Sequence, residues 1–160
     1  LNVTWISKPI PPVVPDEDAI FREYWQKPEK TKNSFKGDWF LTGDVLYKDE
    51  DGYFWFSGRG DDLIMASGYR ISPFEVESAI ISHPDVLEAA VVASPDEMRG
   101  VIVKSFIMLH DMTKASEDLK KDIQEHTKRV AAPYKYPRII EYVEELPKTI
   151  SGKILRRKLR

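Results

Sequence analysis

Hydrophobic positions along the 160-residue chain change their period as the sequence is followed. Between residues 38 and 59 they fall in short runs. Trp39-Phe40-Leu41 and Val45-Leu46-Tyr47 have strand composition, and Tyr53-Phe54-Trp55-Phe56 returns as an apolar strand. The segment between them, Lys48-Asp49-Glu50-Asp51-Gly52, is a strong turn signal, so a β-hairpin is predicted. From Asp61 the pattern becomes α+β. Ser72-Pro73-Phe74-Glu75 supplies an N-cap Ser, Pro at the first helical position and Glu three residues after the cap. The helix it starts carries Val76, Ala79 and Ile80 on one face and stops at His83-Pro84.

Val86 to Ala93 and Val101 to Leu109 read as strands separated by a turn over 94–100. Val101, Val103, Ile107 and Leu109 share a face. A second helix starts near Ser116, with Glu117 and Asp118 in its first turn and Lys128 and Arg129 in its last. Its expected buried stripe is Leu119, Ile123 and Val130. Arg138 to Val143 is a third strand. Residues 1 to about 36 read as irregular. Pro9, Pro11, Pro12 and Pro15 oppose regular hydrogen bonding. Phe21, Tyr24 and Trp25 suit a short helix ended by Pro28. This zone has the look of the trailing edge of a domain whose bulk lies upstream.

Composition narrows the function classes. The length suits one ordinary domain, or one domain plus a piece of another, at about 150 residues per domain. Lys and Arg number 24 against 26 Asp and Glu, so no overall basic field advertises nucleic acid or an anionic membrane. The absence of Cys removes disulfides, thiol nucleophiles and Cys-ligated zinc, and suits a reducing compartment. No stretch approaches ~18 uninterrupted apolar residues, so no transmembrane helix is expected. No signal peptide is visible and a cytoplasmic location is expected, with organellar targeting left open. The start at Leu1 suggests a processed chain or a fragment of something larger.

Several motif-like stretches fail on inspection. Gly58-Arg59-Gly60-Asp61-Asp62-Leu63 starts like a dinucleotide fingerprint, but Leu63 replaces the third Gly and no βαβ unit surrounds it. Ser151-Gly152-Lys153 resembles the end of a P-loop, with Pro147 and Ile154 in the wrong places. His83, His110 and His126 are far apart in sequence and lack metal-ligand spacing, so no metal site is expected.

Other stretches keep two readings each. Thr42-Gly43-Asp44 at the end of a strand is a turn Asp, or a carboxylate able to accept hydrogen bonds from both hydroxyls of a ribose. Gly58 to Asp62 is a flexible linker, or a hinge that leaves Arg59 available to a nucleotide. Ser67-Gly68-Tyr69-Arg70 is a tight turn, or a place where Gly68 lets a ligand pass close to the backbone. The last fifteen residues hold six basic residues and no acidic one. They form a solvated, frayed terminus, a weak non-specific nucleic-acid patch, or a loop that presents one Lys to a phosphate.

In their order and spacing these stretches resemble the carboxy-terminal motifs of the adenylate-forming superfamily. They are Trp39 to Asp44, Gly58 to Ile64, Ser67 to Glu77, and Pro147 to Ile154. The superfamily includes acyl-CoA synthetases, aryl-CoA ligases, firefly-type luciferases and adenylation domains of peptide synthetases. The likeness spans residues 19 to 160. Asp49 to Phe54 and Ala132 to Arg138 look most like the medium-chain acyl-CoA synthetase branch. Met65 departs from it, standing where many relatives carry a polar residue.

The resemblance implies an α+β fold in two parts. Residues 1–60 would end a large adenylate-forming domain. Residues 61–160 would be a small mobile domain with a central three-stranded sheet and flanking helices. It implies a two-step reaction with ATP, CoA and a carboxylic (fatty) acid. The acid attacks the α-phosphate to give acyl-AMP, and the CoA thiol then displaces AMP. Mg2+ would be bound upstream or through the nucleotide. By position, Asp44 would hold the ribose, Arg59 the nucleotide, and Asp61 would be the hinge. Ser67, Gly68 and Tyr69 would line the CoA path, with Arg70 near the acyl-adenylate. Arg99, Lys128, Tyr136, Pro137 and Arg138 would approach CoA. Lys153 would be the adenylation lysine. The chain would work with an upstream large domain and would not be active alone. Alternatives are an aryl-CoA ligase, a peptide-synthetase adenylation domain, or a free-standing binding module without catalysis.

Overall fold

The computed structural model describes residues 3–9, 23–36 and 39–160. The chain divides into two compact units, Leu1–Asp61 and Asp62–Arg160.

The first unit is a small antiparallel sheet built on β3, Trp39–Lys48. β4, Phe54–Arg59, returns beside it through the acidic turn, as the hydrophobic pattern predicts. Asp49 closes that turn by accepting from the Tyr53 N–H at 2.8 Å and the Trp55 indole N–H at 2.6 Å. The amino-terminal zone departs from expectation. Val3–Pro9 is a strand, β1, paired with β3 from Val3 opposite Tyr47 to Pro9 opposite Trp39. Val3-Thr4-Trp5-Ile6 has high strand propensity. Pro9 is the last residue of β1, an edge strand, which is where a sheet tolerates Pro. Pro28 does not end a helix but begins one, α1 at Pro28–Asn33, because the first helical N–H has no partner to lose. β2, Phe35–Lys36, pairs with the start of β3. Pro11, Pro12, Pro15 and Phe21 lie outside the described residues.

The second unit is α+β. It opens with a hairpin that the sequence pattern did not signal, β5 at Ile64–Ala66 and β6 at Tyr69–Ile71. Its two-residue loop has Ser67 at φ 51° and Gly68 at φ 82°, the left-handed pair that matches strand twist. α2 follows at Pro73–Ile81, with the Ser72 hydroxyl accepting from the Glu75 N–H at 3.4 Å. β7 (Val86–Asp96) and β8 (Gly100–Leu109) are antiparallel. α3 (Glu117–Val130) then carries the chain to β9 (Ile139–Tyr142), parallel to β8.

Both faces of this three-stranded sheet are covered. On one face Val103, Ile107 and Leu109 meet Val76 and Ile80 of α2, Ile123 of α3, and Ile64 and Ile71 of the small hairpin. On the other, Ala90, Val92 and Phe106 meet Leu146, Ile154 and Leu159. Burial on both sides explains the run Ala89-Ala90-Val91-Val92, which does not alternate. It also decides among the readings of the tail and corrects one expectation, the buried stripe of α3. The basic tail is not frayed, because its apolar residues cover the second face. The α3 stripe is Leu119, Ile123 and Thr127, whereas Val130 is 55% exposed. Thr127 satisfies its buried hydroxyl by donating to the Ile123 carbonyl at 2.7 Å. Among the described residues no helix is long and apolar enough to cross a membrane.

Candidate functional site

The first unit holds Asp44 and Arg59. Asp44 is not at a strand end, as the motif suggested, but within β3, directly opposite Arg59 on β4. The guanidinium donates to the Asp44 carboxylate at 3.2 Å, to the Thr42 carbonyl at 2.8 Å and to Asp61 at 3.3 Å. Burial works against the Arg59 charge, but the Asp61 and Asp44 carboxylates hold its pKa above the ordinary value. Gly58 and Arg59 belong to the ladder, and the Gly60 N–H donates to the Gly43 carbonyl at 2.9 Å. The ordered strand therefore runs nearly to Asp61, at the boundary between the two units.

Within the second unit a cleft of about 380 Å³ gathers Ser67 and Tyr69 from the small hairpin, Arg99 from the β7–β8 turn, and Tyr136 and Arg138 from the approach to β9. These residues lie up to 71 positions apart (138 − 67). The topology brings them together because β9 lies beside β8, whose start forms the cleft floor with Val101 and Val103. Aromatic rings line the walls. Tyr69 stacks on Tyr134 at 4.2 Å between centroids. Arg138 donates to the Tyr136 hydroxyl at 2.8 Å and lies 5.1 Å from that ring's centre. Lys128 does not line the cleft, but its ammonium sits 4.3 Å from the Tyr136 ring. Among the described residues, the lining contains two arginines and no acidic residue. Guanidinium groups beside flat π faces suit a ligand that carries phosphates and a flat ring.

Three other expected residues stand off the cleft. Gly68 is at the hairpin tip, with open space around the position a Cβ would take. Arg70 is exposed on β6. Pro137 is buried, and its carbonyl accepts from the Gln124 amide at 2.9 Å, which pins the 136–138 stretch to α3. Tyr134 was not singled out from sequence. Its signal is the run Pro133-Tyr134-Lys135-Tyr136, which places two aromatics just before Arg138.

Lys153 stands on a closed loop. Lys148 and Ile154 bridge its base. The Thr149 N–H donates to the Lys153 carbonyl at 2.8 Å, and the Gly152 N–H to the Thr149 carbonyl at 2.9 Å. Gly152 has φ 80°, which allows the tight reversal. The Lys153 N–H donates to the Thr149 hydroxyl at 3.0 Å, and the lysine side chain is exposed.

A second polar cluster was not anticipated. Glu77 of α2, 6% exposed, accepts the Val91 N–H at the open edge of β7 at 2.8 Å. It also receives Arg156 from the carboxy-terminal 3₁₀ turn, at 2.9 and 2.7 Å from one guanidinium nitrogen. Burial pushes the Glu77 carboxyl up from its ordinary value, against the pull of Arg156 and the Val91 N–H. Two histidines that are distant in sequence also meet. The rings of His83 and His126 lie edge to face at 5.3 Å, with Asp122 3.2 Å from His83 and the Ser82 hydroxyl 2.7 Å from His126.

Comparison with known proteins places these features in a family. Residues 75–153 match the AMP-binding enzyme C-terminal domain. The chain is 56% identical over 151 residues to the mitochondrial acyl-coenzyme A synthetase ACSM3 of Rattus norvegicus, covering 92% of this chain and 26% of that protein. It is 58% identical over 142 residues to the acyl-CoA ligase YtcI of Bacillus subtilis (strain 168), described as uncharacterized, covering 89% of this chain and 27% of that one. Among solved structures, an anthranilate CoA ligase, AuaEII, in complex with anthranoyl-AMP superposes with a TM-score of 0.78 at 47% identity, over 86% of this chain and 27% of that one. An ATP-bound RpMatB-BxBclM chimera gives 0.80 at 37% identity, over 88% and 28%. The chain thus spans about a quarter of the length of the relatives it matches. The matched domain, the shared fold and these relatives agree: residues 75–153 form an AMP-binding enzyme C-terminal domain, and the chain is similar to one part of adenylate-forming acyl-CoA synthetases and CoA ligases.

Proposed function

We propose that this chain forms the carboxy-terminal part of an ATP-dependent acyl-CoA synthetase of the medium-chain type and works with an upstream large domain of the same enzyme. In the first step a carboxylate oxygen attacks the α-phosphorus of ATP and pyrophosphate leaves. Charge grows on the non-bridging oxygens of the α-phosphate, and the Lys153 ammonium, carried on its closed loop, stabilises it there. Asp44 accepts the ribose hydroxyls, and Arg59 holds that carboxylate in place while facing the nucleotide. In the second step the CoA sulfur attacks the acyl carbonyl, with Arg70 beside the acyl-adenylate, and AMP leaves. Asp61 is the hinge on which the second unit, 62–160, changes the face it offers. Mg2+ would travel with the nucleotide phosphates or be bound upstream.

The observation that carries this reading is the cleft. Five residues chosen from scattered motifs, Ser67, Tyr69, Arg99, Tyr136 and Arg138, line one cationic and aromatic cavity. That chemistry suits the phosphates and adenine of CoA, and Lys128 adds a further cation at its rim. The likeness to an anthranilate CoA ligase supports an aryl acid as a second reading for the substrate. Rates of thioester formation with straight-chain and aromatic acids separate the two.

The test uses the complete enzyme and two half-reactions. Lys153→Ala should lower ATP–pyrophosphate exchange by ~10²–10³ and leave thioester formation from pre-made acyl-AMP nearly intact. Arg138→Ala should do the reverse, raising the KM for CoA while sparing exchange. If each variant lost both half-reactions equally, the division of labour proposed here would be wrong.

A further inference from the structure

The Lys153 loop is held mainly by bonds among its own residues, together with the Lys148 ammonium 2.7 Å from Glu88. A loop of this kind is only as well placed as its two stems. The incoming stem is anchored by Leu146, which is buried against Ala90, Val92 and Phe106. The outgoing stem has weaker apolar anchors, because Ile154 and Leu159 are only partly buried. Three residues after Lys153, however, Arg156 enters a charged clasp. Its guanidinium meets both Glu77 oxygens and reaches Asp62 at 3.4 Å. Asp62 in turn accepts from Arg160 at 2.6 Å. Glu77 is itself fixed on α2 and bonded to the β7 edge. The clasp therefore joins four parts of the second unit: its first residue, its first long helix, its sheet edge and its last turn. The contacts to Asp62 span 94 and 98 residues of sequence.

We propose that Arg156 is a positioning residue for Lys153, and that the Asp62–Arg156–Glu77 clasp makes the lysine loop move as one body with the residue that follows the hinge. The inference rests on the role proposed above for Lys153. Its physical content is rigidity. A displacement of about 1 Å of a charge-stabilising group costs on the order of 10²-fold in rate. The clasp removes that freedom from the outgoing stem. Asp62 adjoins Asp61, so a rotation at Asp61 would carry the loop with it without slack in the intervening chain. The guanidinium shape matters here, because one planar group must meet two Glu77 oxygens and Asp62 together.

The experiment is run in the complete enzyme with Arg156→Lys, Arg156→Met, Asp62→Asn and, as the reference, Lys153→Ala. Arg156→Met should lower ATP–pyrophosphate exchange by roughly 10- to 100-fold through kcat, with little change in the KM for ATP. Thioester formation from pre-made acyl-AMP should stay within about threefold, because Lys153 has no part in it. Arg156→Lys should recover part of the loss, since it keeps the charge without the planar fork. Hydrogen exchange should quicken at the amides of Thr149 and Gly152, while those of β7 and β8 remain protected. If Arg156→Met does not fold, Asp62→Asn leaves the buried Glu77 pair intact and should give the same selective loss, smaller in size. Equal losses in both half-reactions, or unchanged exchange in a folded variant, would overturn the inference. If Lys153→Ala is selective and Arg156→Met is not, this inference alone fails. If Lys153→Ala is itself without effect, the assignment of Lys153 falls and takes this one with it.

Discussion

Arg59 and Asp44 face each other across the β3–β4 ladder, and the glycine before Asp44 is what lets them meet. Gly43 has φ 78°, and a Cβ built on it would lie 2.8 Å from the Arg59 guanidinium. Gly43→Ala therefore incurs backbone strain and also pushes the guanidinium away from Asp44. The strain alone is worth about 1–3 kcal/mol. Arg59→Met removes the same ion pair without strain, and a pair this exposed contributes only about 0–1 kcal/mol. Urea denaturation should rank Gly43→Ala as the more damaging of the two. The reverse order would mean that the pair, not the backbone, holds this corner.

At Asp61 the carboxylate and the backbone can be tested separately. The carboxylate lies 3.3 Å from the Arg59 guanidinium, but both side chains are largely exposed, so the contact does not lock the junction. Asp61→Ala should leave both half-reactions of the complete enzyme within a few-fold. Asp61→Pro fixes φ near −65° and should spare one half-reaction while sharply reducing the other. Matching losses in both half-reactions for the Pro variant, with folding intact, would make Asp61 an ordinary connecting residue.

The parts of this architecture that were legible in the sequence are those set by local signals. The Ser72-Pro73 cap, the β3–β4 turn and the strands around Val91 and Val103 each follow from neighbouring residues. Strand β1 is hidden in the sequence because Pro9, which ends it, opens a proline-rich stretch with Pro11, Pro12 and Pro15. The hairpin at Ile64–Ile71 was missed because three-residue strands carry too little period to detect, although Ser67-Gly68 was recognised as a turn. The tail leaves three readings open in sequence for a different reason. Its charges are conspicuous, whereas Leu146, Ile154 and Leu159 reveal their purpose only when a second sheet face needs cover. The Glu77–Arg156 pair, 79 positions apart, leaves no local trace at all. The cleft residues were found by resemblance, since Arg99 and Arg138 have no common period or spacing. The structure also decides which nearby lysine can serve as a control for Lys153. Lys148 bonds Glu88 at the loop base and is no neutral comparison, whereas Lys158 is exposed on the final turn.

Ser105 offers a test of the core. It sits at the centre of β8, opposite Val91 and Ile140, with no exposed surface. Its hydroxyl has no hydrogen-bond partner among the described residues. A buried polar group left unpaired costs about 1–3 kcal/mol, so its removal should cost nothing. Ser105→Ala is expected to be neutral or to raise stability by up to about 1 kcal/mol, read as a higher urea midpoint with an unchanged slope. A clear loss of stability would show that the hydroxyl is satisfied, for instance by a buried water.

Tyr142 predicts how stability declines in alkali. Its hydroxyl donates to the Ser116 carbonyl at 3.4 Å, just before α3 begins. Burial, aided by the nearby carboxylates of Glu117 and Asp85, pushes its pKa up to about 12 from the ordinary 10.0. The sign follows from proton counting. Between those two values the unfolded chain has released the phenolic proton and the native chain has not, so rising pH favours unfolding. The stabilising contribution is complete below about pH 10 and is lost as pH climbs through about 12. Lysines titrate in the same window, so the informative quantity is the difference between wild type and Tyr142→Phe. The wild-type urea midpoint should fall more steeply than that of Tyr142→Phe between pH 10 and 12. In a phenolate absorbance titration, one of the seven tyrosines should ionise late, and that late step should vanish in the variant. Parallel declines, with no late step to lose, would show that the Tyr142 phenol is open to water in the folded chain.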